Sequence, residues 1–190
     1  ELATAAWALF QQSETSGLPL FLLSLSKDVA KARSARLKNI ARRKDPLTGA
    51  SEFPNVHEKP VEVEKPVRAW KSDTLFPPMR LAQEFEALRD RADASAARPK
   101  IFLATLGTVA DYTARAMFAK NFFEAGGLEA VIHDSGDLAD AFAASGAKLI
   151  CLVSSDAVYA EQAIAAAKKL APKAAKTYLA GRPGDLEGAL

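Results

Sequence analysis

Ile101-Phe-Leu-Ala-Thr105 is a short apolar run, and the stretch after it, Leu106-Gly-Thr-Val-Ala-Asp111, leads into a segment with a different period. Five apolar or small residues bounded by a charge and a glycine read as a buried strand. Asp111 to Ala125 then reads as a helix, with Ala114, Met117, Phe118 and Phe122 facing inward and Gly126-Gly127 as its stop. The alternation repeats downstream. Leu128–Ile132 is a second strand, and Leu138–Ala144 is a short helix ended by Gly146. Leu149–Val153 is a third strand, Val158–Leu170 an Ala-rich helix ended before Pro172, and Thr177–Ala180 a fourth strand. Strands alternating with helices imply a parallel sheet with right-handed crossovers. Pro99 to Leu190 is therefore expected to form an α/β domain of flavodoxin-like type. Ligands of such sheets sit beyond the carboxyl ends of the strands, at a topological switch point. The loops that matter are Thr105–Asp111, Ser154–Asp156 and Gly181–Gly184.

Toward the N-terminus the texture changes. Leu2–Glu14 has Leu2, Ala5, Ala6, Leu9 and Phe10 on one helical face, and Gly17 and Pro19 follow as a stop. Leu20–Leu25 is apolar without a helical period and is expected to be a buried strand. Asp28–Arg43 is helical and basic: Lys27 to Lys44 carries eight Lys or Arg against the single acid Asp28. From Asp45 to Pro78 come six prolines, Pro46, Pro54, Pro60, Pro66, Pro77 and Pro78. Proline removes a backbone donor and restricts its predecessor, so an extended linker is expected. Its aromatics Phe53, Trp70 and Phe76 are expected to lie against a surface. Met79–Ala94 reads as a helix with Leu81, Phe85 and Leu88 on one face. A first residue that is not methionine, a helical pattern from the outset and a last stretch, Asp185–Leu190, that resembles a helix beginning all read as a piece of a longer polypeptide.

A chain of 190 residues with 49% hydrophobic and 25% charged residues has the composition of a globular protein. Its formal net charge of +2 points to neither a nucleic acid nor an anionic membrane. No apolar run is long enough to span a bilayer. The single cysteine, Cys151, excludes an internal disulfide and fits a reducing compartment such as the cytoplasm. Its place within Lys148-Leu-Ile-Cys-Leu-Val153 reads as a small buried strand residue.

Several chemistries can be weighed on the residues. Thr105-Leu-Gly-Thr-Val-Ala-Asp111 has hydroxyls and a glycine before a helix start, which suits a phosphate or a flavin. Threonine and aspartate before a helix are equally ordinary caps. A receiver-type phosphoacceptor needs clustered carboxylates after the first strand and an aspartate after the third, where Thr105, Leu106 and Ser154 stand. The only histidines are His57, in the linker, and His133, after the second strand. Adjacent residues at a strand end point apart, which counts against an acid–base pair of His133 with Asp134. The basic stretch lacks the interleaved aromatics of a nucleic-acid surface and reads as a solvated or partner-facing helix face.

Three stretches together resemble a known family. They are Asp45-Pro-Leu-Thr-Gly-Ala-Ser-Glu-Phe-Pro54, Arg80-Leu-Ala-Gln-Glu-Phe-Glu-Ala-Leu-Arg-Asp-Arg-Ala92, and Leu106-Gly-Thr-Val-Ala-Asp-Tyr-Thr-Ala-Arg-Ala-Met-Phe-Ala-Lys-Asn-Phe-Phe-Glu-Ala-Gly-Gly127, the last being the most specific. With Glu1–Phe10 they make the chain resemble the small (beta) subunits of heterodimeric methylmalonyl-CoA mutases. The resemblance implies that residues 1–56 are the end of a (β/α)8 barrel. Residues 57–98 would be a linker carrying the helix 79–94, and residues 99–190 a cobalamin-binding-type domain. It also implies an isomerase in which adenosylcobalamin (a vitamin B12 cofactor) carries the radical chemistry of methylmalonyl-CoA and succinyl-CoA interconversion. The partner it implies is a large (alpha) subunit.

In cobalamin-binding relatives an Asp-x-His-x-x-Gly motif follows the first strand, and its histidine ligates cobalt. Those places here carry Thr108, Ala110 and Thr113. A Ser-x-Leu motif after the third strand becomes Ser154-x-Asp156, and a Gly-Gly pair after the fourth becomes Gly181-Arg182. The resemblance thus implies a degenerate cofactor site at Thr108, Ala110, Thr113, Ser154, Asp156 and Gly181. The chain is expected to have no catalytic residue, no metal ligand and no cobalamin of its own, and to act as a non-catalytic partner of the large subunit. The alternatives are a domain that binds cobalamin without a protein histidine, and a flavin- or phosphate-binding flavodoxin-like module.

Overall fold

The computed structural model describes residues 1–59, 61, 62, 64 and 74–183. The expectations for Trp70, Gly184 and Asp185–Leu190 lie outside the described residues, as do those for Pro60 and Pro66. Two compact units are present: residues 1–46 with the described part of 60–81, and residues 47–59 with 82–183.

The described residues of the first unit form two helices, α1 (Leu2–Ser16) and α2 (Leu18–Ala41). The expected strand at Leu20–Leu25 is helical instead, inside α2. Pro19 stands in the first turn of α2, where its missing N–H has no helical partner to lose. The leucines that follow are good helix formers, so proline opens this helix and does not break it. Most of the basic stretch lies on α2, but Arg42, Arg43 and Lys44 fall past its end at Ala41.

The second unit begins with a surprise for the linker expectation. Residues 47–52 are not extended. They form a tight turn: the Leu47 N–H donates to Ser51 Oγ at 2.9 Å, and the Gly49 N–H to the Glu52 carbonyl at 2.7 Å. Ser51 is fully buried, and Pro54 and Val56 are buried beside it. Phe53 is 71% exposed and so does not lie against a surface. The next helix, α3 (Gln83–Asp93), starts four residues later than the pattern suggested. Its inward row is Phe85, Arg89 and Ala92, and Leu81 and Leu88 point outward. Arg89 donates to the Gly49 and Ala50 carbonyls at 3.0 and 2.7 Å and ties the turn to α3.

The rest is the expected alternation: β1 (Lys100–Thr105), α4 (Val109–Ala125), β2 (Glu129–Ile132), α5 (Leu138–Ser145), β3 (Leu149–Val153), α6 (Asp156–Leu170), a 3-10 turn at Ala171–Lys173, and β4 (Lys176–Leu179). All pairings are parallel, and the strand order is β2-β1-β3-β4. This four-stranded parallel sheet with flanking helices is a flavodoxin-like α/β arrangement. The register sets Leu103 beside Cys151 and Thr105 beside Val153.

Alternation along each strand divides the core in two. Phe102, Ala104, Ile150 and Leu152 face α5 and α6, where they pack with Phe142, Ala163 and Leu170. Ile101, Leu103, Cys151 and Val153 face α4. The inward stripe of α4 differs from the expectation. It is Tyr112, Ala116, Ala119 and Phe123, while Ala114, Met117, Phe118 and Phe122 are exposed. Small Ala116 and Ala119 let the helix backbone approach the sheet. The larger side chains one position away are left overhanging the part of this face that α4 does not cover. There, Phe118, Phe122, Cys151 and Tyr178 line an apolar recess of about 450 Å³.

Candidate functional site

The chain leaves β1 toward β2 on one side and leaves β3 toward β4 on the other, so the switch point lies at the carboxyl ends of β1 and β3. Five segments meet there: Leu106–Thr108, Ser154–Ser155, the first turn of α4, the first turn of α6, and Ala180–Gly181.

Thr108 is the N-cap of α4. Its N–H and its hydroxyl both donate to Asp111 Oδ2, at 2.8 and 2.7 Å. Hydrogen bonds from the Thr108 side chain and backbone hold the Asp111 carboxyl below the usual carboxylate range. The helix start is thus supplied with its own negative charge. A phosphate placed at the same point would meet that carboxylate, which weighs against the flavin or phosphate reading. Gly107 has φ +78°, and a Cβ there would stand 2.8 Å from Asp111 Oδ2 and 3.1 Å from Val158 Cγ2. The tip of this loop therefore already touches α4 and α6.

Ala110 and Thr113 lie exposed on the first turn and a half of α4. Ala110 carries no donor atom. The Thr113 hydroxyl is turned back to the Val109 carbonyl at 2.5 Å. Ser154 is fully buried; its hydroxyl donates to the Leu106 carbonyl at 2.7 Å and joins the ends of β1 and β3. Ser155 caps α6, and Asp156 stands exposed in the first turn of that helix.

Two residues that the sequence reading did not single out dominate the centre. Tyr159, on α6, is 2% exposed. Its hydroxyl accepts from the Ser154 N–H at 2.9 Å and lies 3.0 and 3.1 Å from the Leu152 and Ala180 carbonyls, which share its single proton. Burial pushes the phenol's pKa up. Arg115 reaches over from α4. It donates to the Ser154 carbonyl at 2.8 Å and to Asp156 Oδ1 at 2.5 Å, and its guanidinium lies 5.1 Å from the centre of the Tyr159 ring. A Cβ on Gly181 would come within 3.3 Å of Arg115 Nη1 and 3.4 Å of Tyr159 Cε2. No local pattern marks this pair, because 44 residues separate the two. The one hint is a lone aromatic in the first turn of an otherwise Ala-rich helix.

The remaining candidates are engaged elsewhere. His133 Nδ1 lies 3.1 Å from the Thr105 hydroxyl and Nε2 lies 3.2 Å from the Gly136 carbonyl, so both ring nitrogens are occupied. Asp134 accepts instead from the Ser135 hydroxyl, and no acid–base pair with His133 forms. Cys151 is buried on β3 as expected, and burial pushes its thiol up to about 12. Among the described residues no cluster of three or more His, Cys, Asp or Glu could hold a metal ion. No helix among them is long and apolar enough to cross a membrane.

No protein-family model matches the chain. Curated relatives do. A methylmalonyl-CoA mutase small subunit from Streptomyces virginiae is 45% identical over 96% of this chain and 31% of its own length. The protein of the same name from Propionibacterium freudenreichii subsp. shermanii is 35% identical over 95% of this chain and 29% of its own. One from Porphyromonas gingivalis is 33% identical over 96% and 32%. The chain spans about a third of the length of the relatives it matches. Taken with the flavodoxin-like sheet, these identities make the chain a homologue of methylmalonyl-CoA mutase small subunits, matched over their C-terminal part.

Proposed function

We propose that the chain is the C-terminal part of the small subunit of an adenosylcobalamin-dependent, cytoplasmic methylmalonyl-CoA mutase. In this reading it is a non-catalytic partner of the large subunit, and its cobalamin-type domain holds no cobalamin. The observation that carries the reading is Ala110. It stands where cobalamin-binding relatives carry the cobalt-ligating histidine, and alanine has no atom to offer a metal. Thr108, in place of the aspartate that would orient such a histidine, is committed to Asp111. Asp156 brings a charge to the place of an apolar neighbour of the cofactor. Thr113, Ser154 and Gly181 complete the degenerate set, and each is taken up by contacts within the chain. These residues do not fit the cofactor, so no step of the reaction is assigned to them. In the proposed holoenzyme the radical chemistry would come from cobalamin held by the large subunit.

In the domain part of the proposal residues 1–56 complete a barrel, 57–98 connect and 99–190 form the cobalamin-type domain; the helical unit supports it for residues 1–46, whereas 47–56 group with the sheet unit. No residue of α1 is buried, and Trp7 and Phe10 stand 60% and 49% exposed. Outer helices of a barrel carry such a face toward the rest of the barrel.

Titration of the chain with adenosylcobalamin in the dark, followed by absorbance and calorimetry, tests the reading. No saturable change is expected up to high micromolar cofactor, nor any isomerisation of methylmalonyl-CoA by the chain alone. Saturable binding or turnover without a large subunit would sink the proposal.

A further inference from the structure

The centre of the switch-point crevice is filled by the chain itself. We propose that Tyr159 is a built-in occupant of this crevice and Arg115 the latch that seals it. Together they shut out ligands, whatever side chain stands at the position of a metal ligand. The inference rests on the reading that this chain holds no cobalamin, and it supplies a cause that the missing histidine does not.

Three observations carry it. The Tyr159 hydroxyl engages the Ser154 N–H and the Leu152 and Ala180 carbonyls. Polar backbone groups at the carboxyl ends of β3 and β4 are what a ligand in this place would bind, and here they are satisfied from inside. Next, Arg115 belongs to the helix after β1 but binds across the switch point, to Ser154, Asp156 and the face of Tyr159. It joins the two walls that a ligand would have to part. Finally, the third wall lies close as well: a Cβ on Gly181 would come within 3.3 Å of Arg115 Nη1 and 3.4 Å of Tyr159 Cε2, a tight fit beside both side chains. Removing the ring would leave a cavity matched to a planar aromatic with a polar edge. Such cavities take small aromatic molecules when their own side chain is gone.

The test uses the full chain and p-cresol, the tyrosine side chain as a free molecule. Tyr159→Ala should melt well below wild type, and millimolar p-cresol should raise its melting temperature by several degrees while leaving wild type unmoved. A Tyr159→Ala chain that melts like wild type, or that ignores p-cresol, would overturn the proposal. If that variant does not fold, Arg115→Met decides, since it keeps the ring and removes only the latch. Exchange of the Ser154 amide, which is bonded to the Tyr159 hydroxyl, should then quicken about tenfold; unchanged exchange would overturn the latch. The p-cresol readout does not depend on cobalamin. Uptake of adenosylcobalamin by wild type defeats the functional reading, whereas failure of rescue with no uptake defeats only this inference.

Discussion

In β1, Ile101, Leu103 and Ala104 are wholly shielded from solvent, whereas in α1 Leu2, Trp7 and Phe10 stand 86%, 60% and 49% exposed. Both stretches are rich in apolar residues, one forming a strand and the other a helix. The difference is what covers them. The strand lies between two layers of helix, and each side chain it sends out meets a packed neighbour. The helix has an apolar face and no buried residue of its own among the described residues. Apolar character stabilises only where it leaves water, so the two units draw very differently on the same kind of residue.

The largest effect that could break this comparison is a truncation in each unit. Leu103→Ala should cost about 2–5 kcal/mol in urea unfolding. Leu9→Ala, in the exposed helix, should change stability by no more than about 0.5 kcal/mol. Equal losses would mean that α1 is buried after all. A smaller effect sharpens the picture of the second unit at the junction of α3 with the sheet. Gly127 has φ +88°, and a Cβ there would stand 2.8 Å from Ala92 Cβ and 3.2 Å from Arg89 Cα. Gly127→Ala should therefore cost about 1–3 kcal/mol by the same measurement. A neutral result would mean that α3 is not seated where it is described.

The smallest effect is electrostatic. Hydrogen bonds from Lys169, then from the Ala139 and Asp140 N–H groups, lower Asp137 to about 2. Asp111 is lowered as well, by Thr108. A carboxyl whose folded pKa lies below its unfolded value, about 4, contributes stability that is complete above that value and is lost as pH falls through the folded one. Melting temperature should therefore decline between about pH 4 and pH 2. Asp137→Asn should flatten that limb, and an unaltered limb would remove Asp137 from its causes. Both carboxylates lie in the sheet unit, so the acid transition should report on that unit and leave the helicity of α1 and α2 largely in place.

The sheet domain was legible because its signals are local. Each strand is an apolar run bounded by glycine or charge, and each helix has its stop, so every element of the alternation stands within a few residues of its expected place. The errors came where context outweighs pattern. Leu20–Leu25 has the apolar look of a strand after a break at Pro19, but a proline in the first turn starts a helix. On α4 the larger Met117, Phe118 and Phe122 suggest the inward face, yet they are exposed. The sheet instead selects alanines, which permit close approach. Asp45–Pro54 read as extended from its prolines, but Gly49 and Ser51 fold it into a turn. At the site, the positions Thr108, Ala110, Ser154 and Gly181 could be placed by counting from strand ends. Arg115 and Tyr159 could not, because their meeting is a product of the crossover and not of any spacing.

The strand order has a consequence for how the domain is made on the ribosome. Synthesis delivers β1, then β2, then β3, then β4, and the final order is β2-β1-β3-β4. Each new strand therefore joins an edge that already exists: β2 and β3 on the two sides of β1, and β4 outside β3. No strand has to wait for a later one to be inserted beside it, and no pairing must be undone. The sheet can extend one βα unit at a time as the nascent chain emerges, with β1 as the template from which the rest is read out.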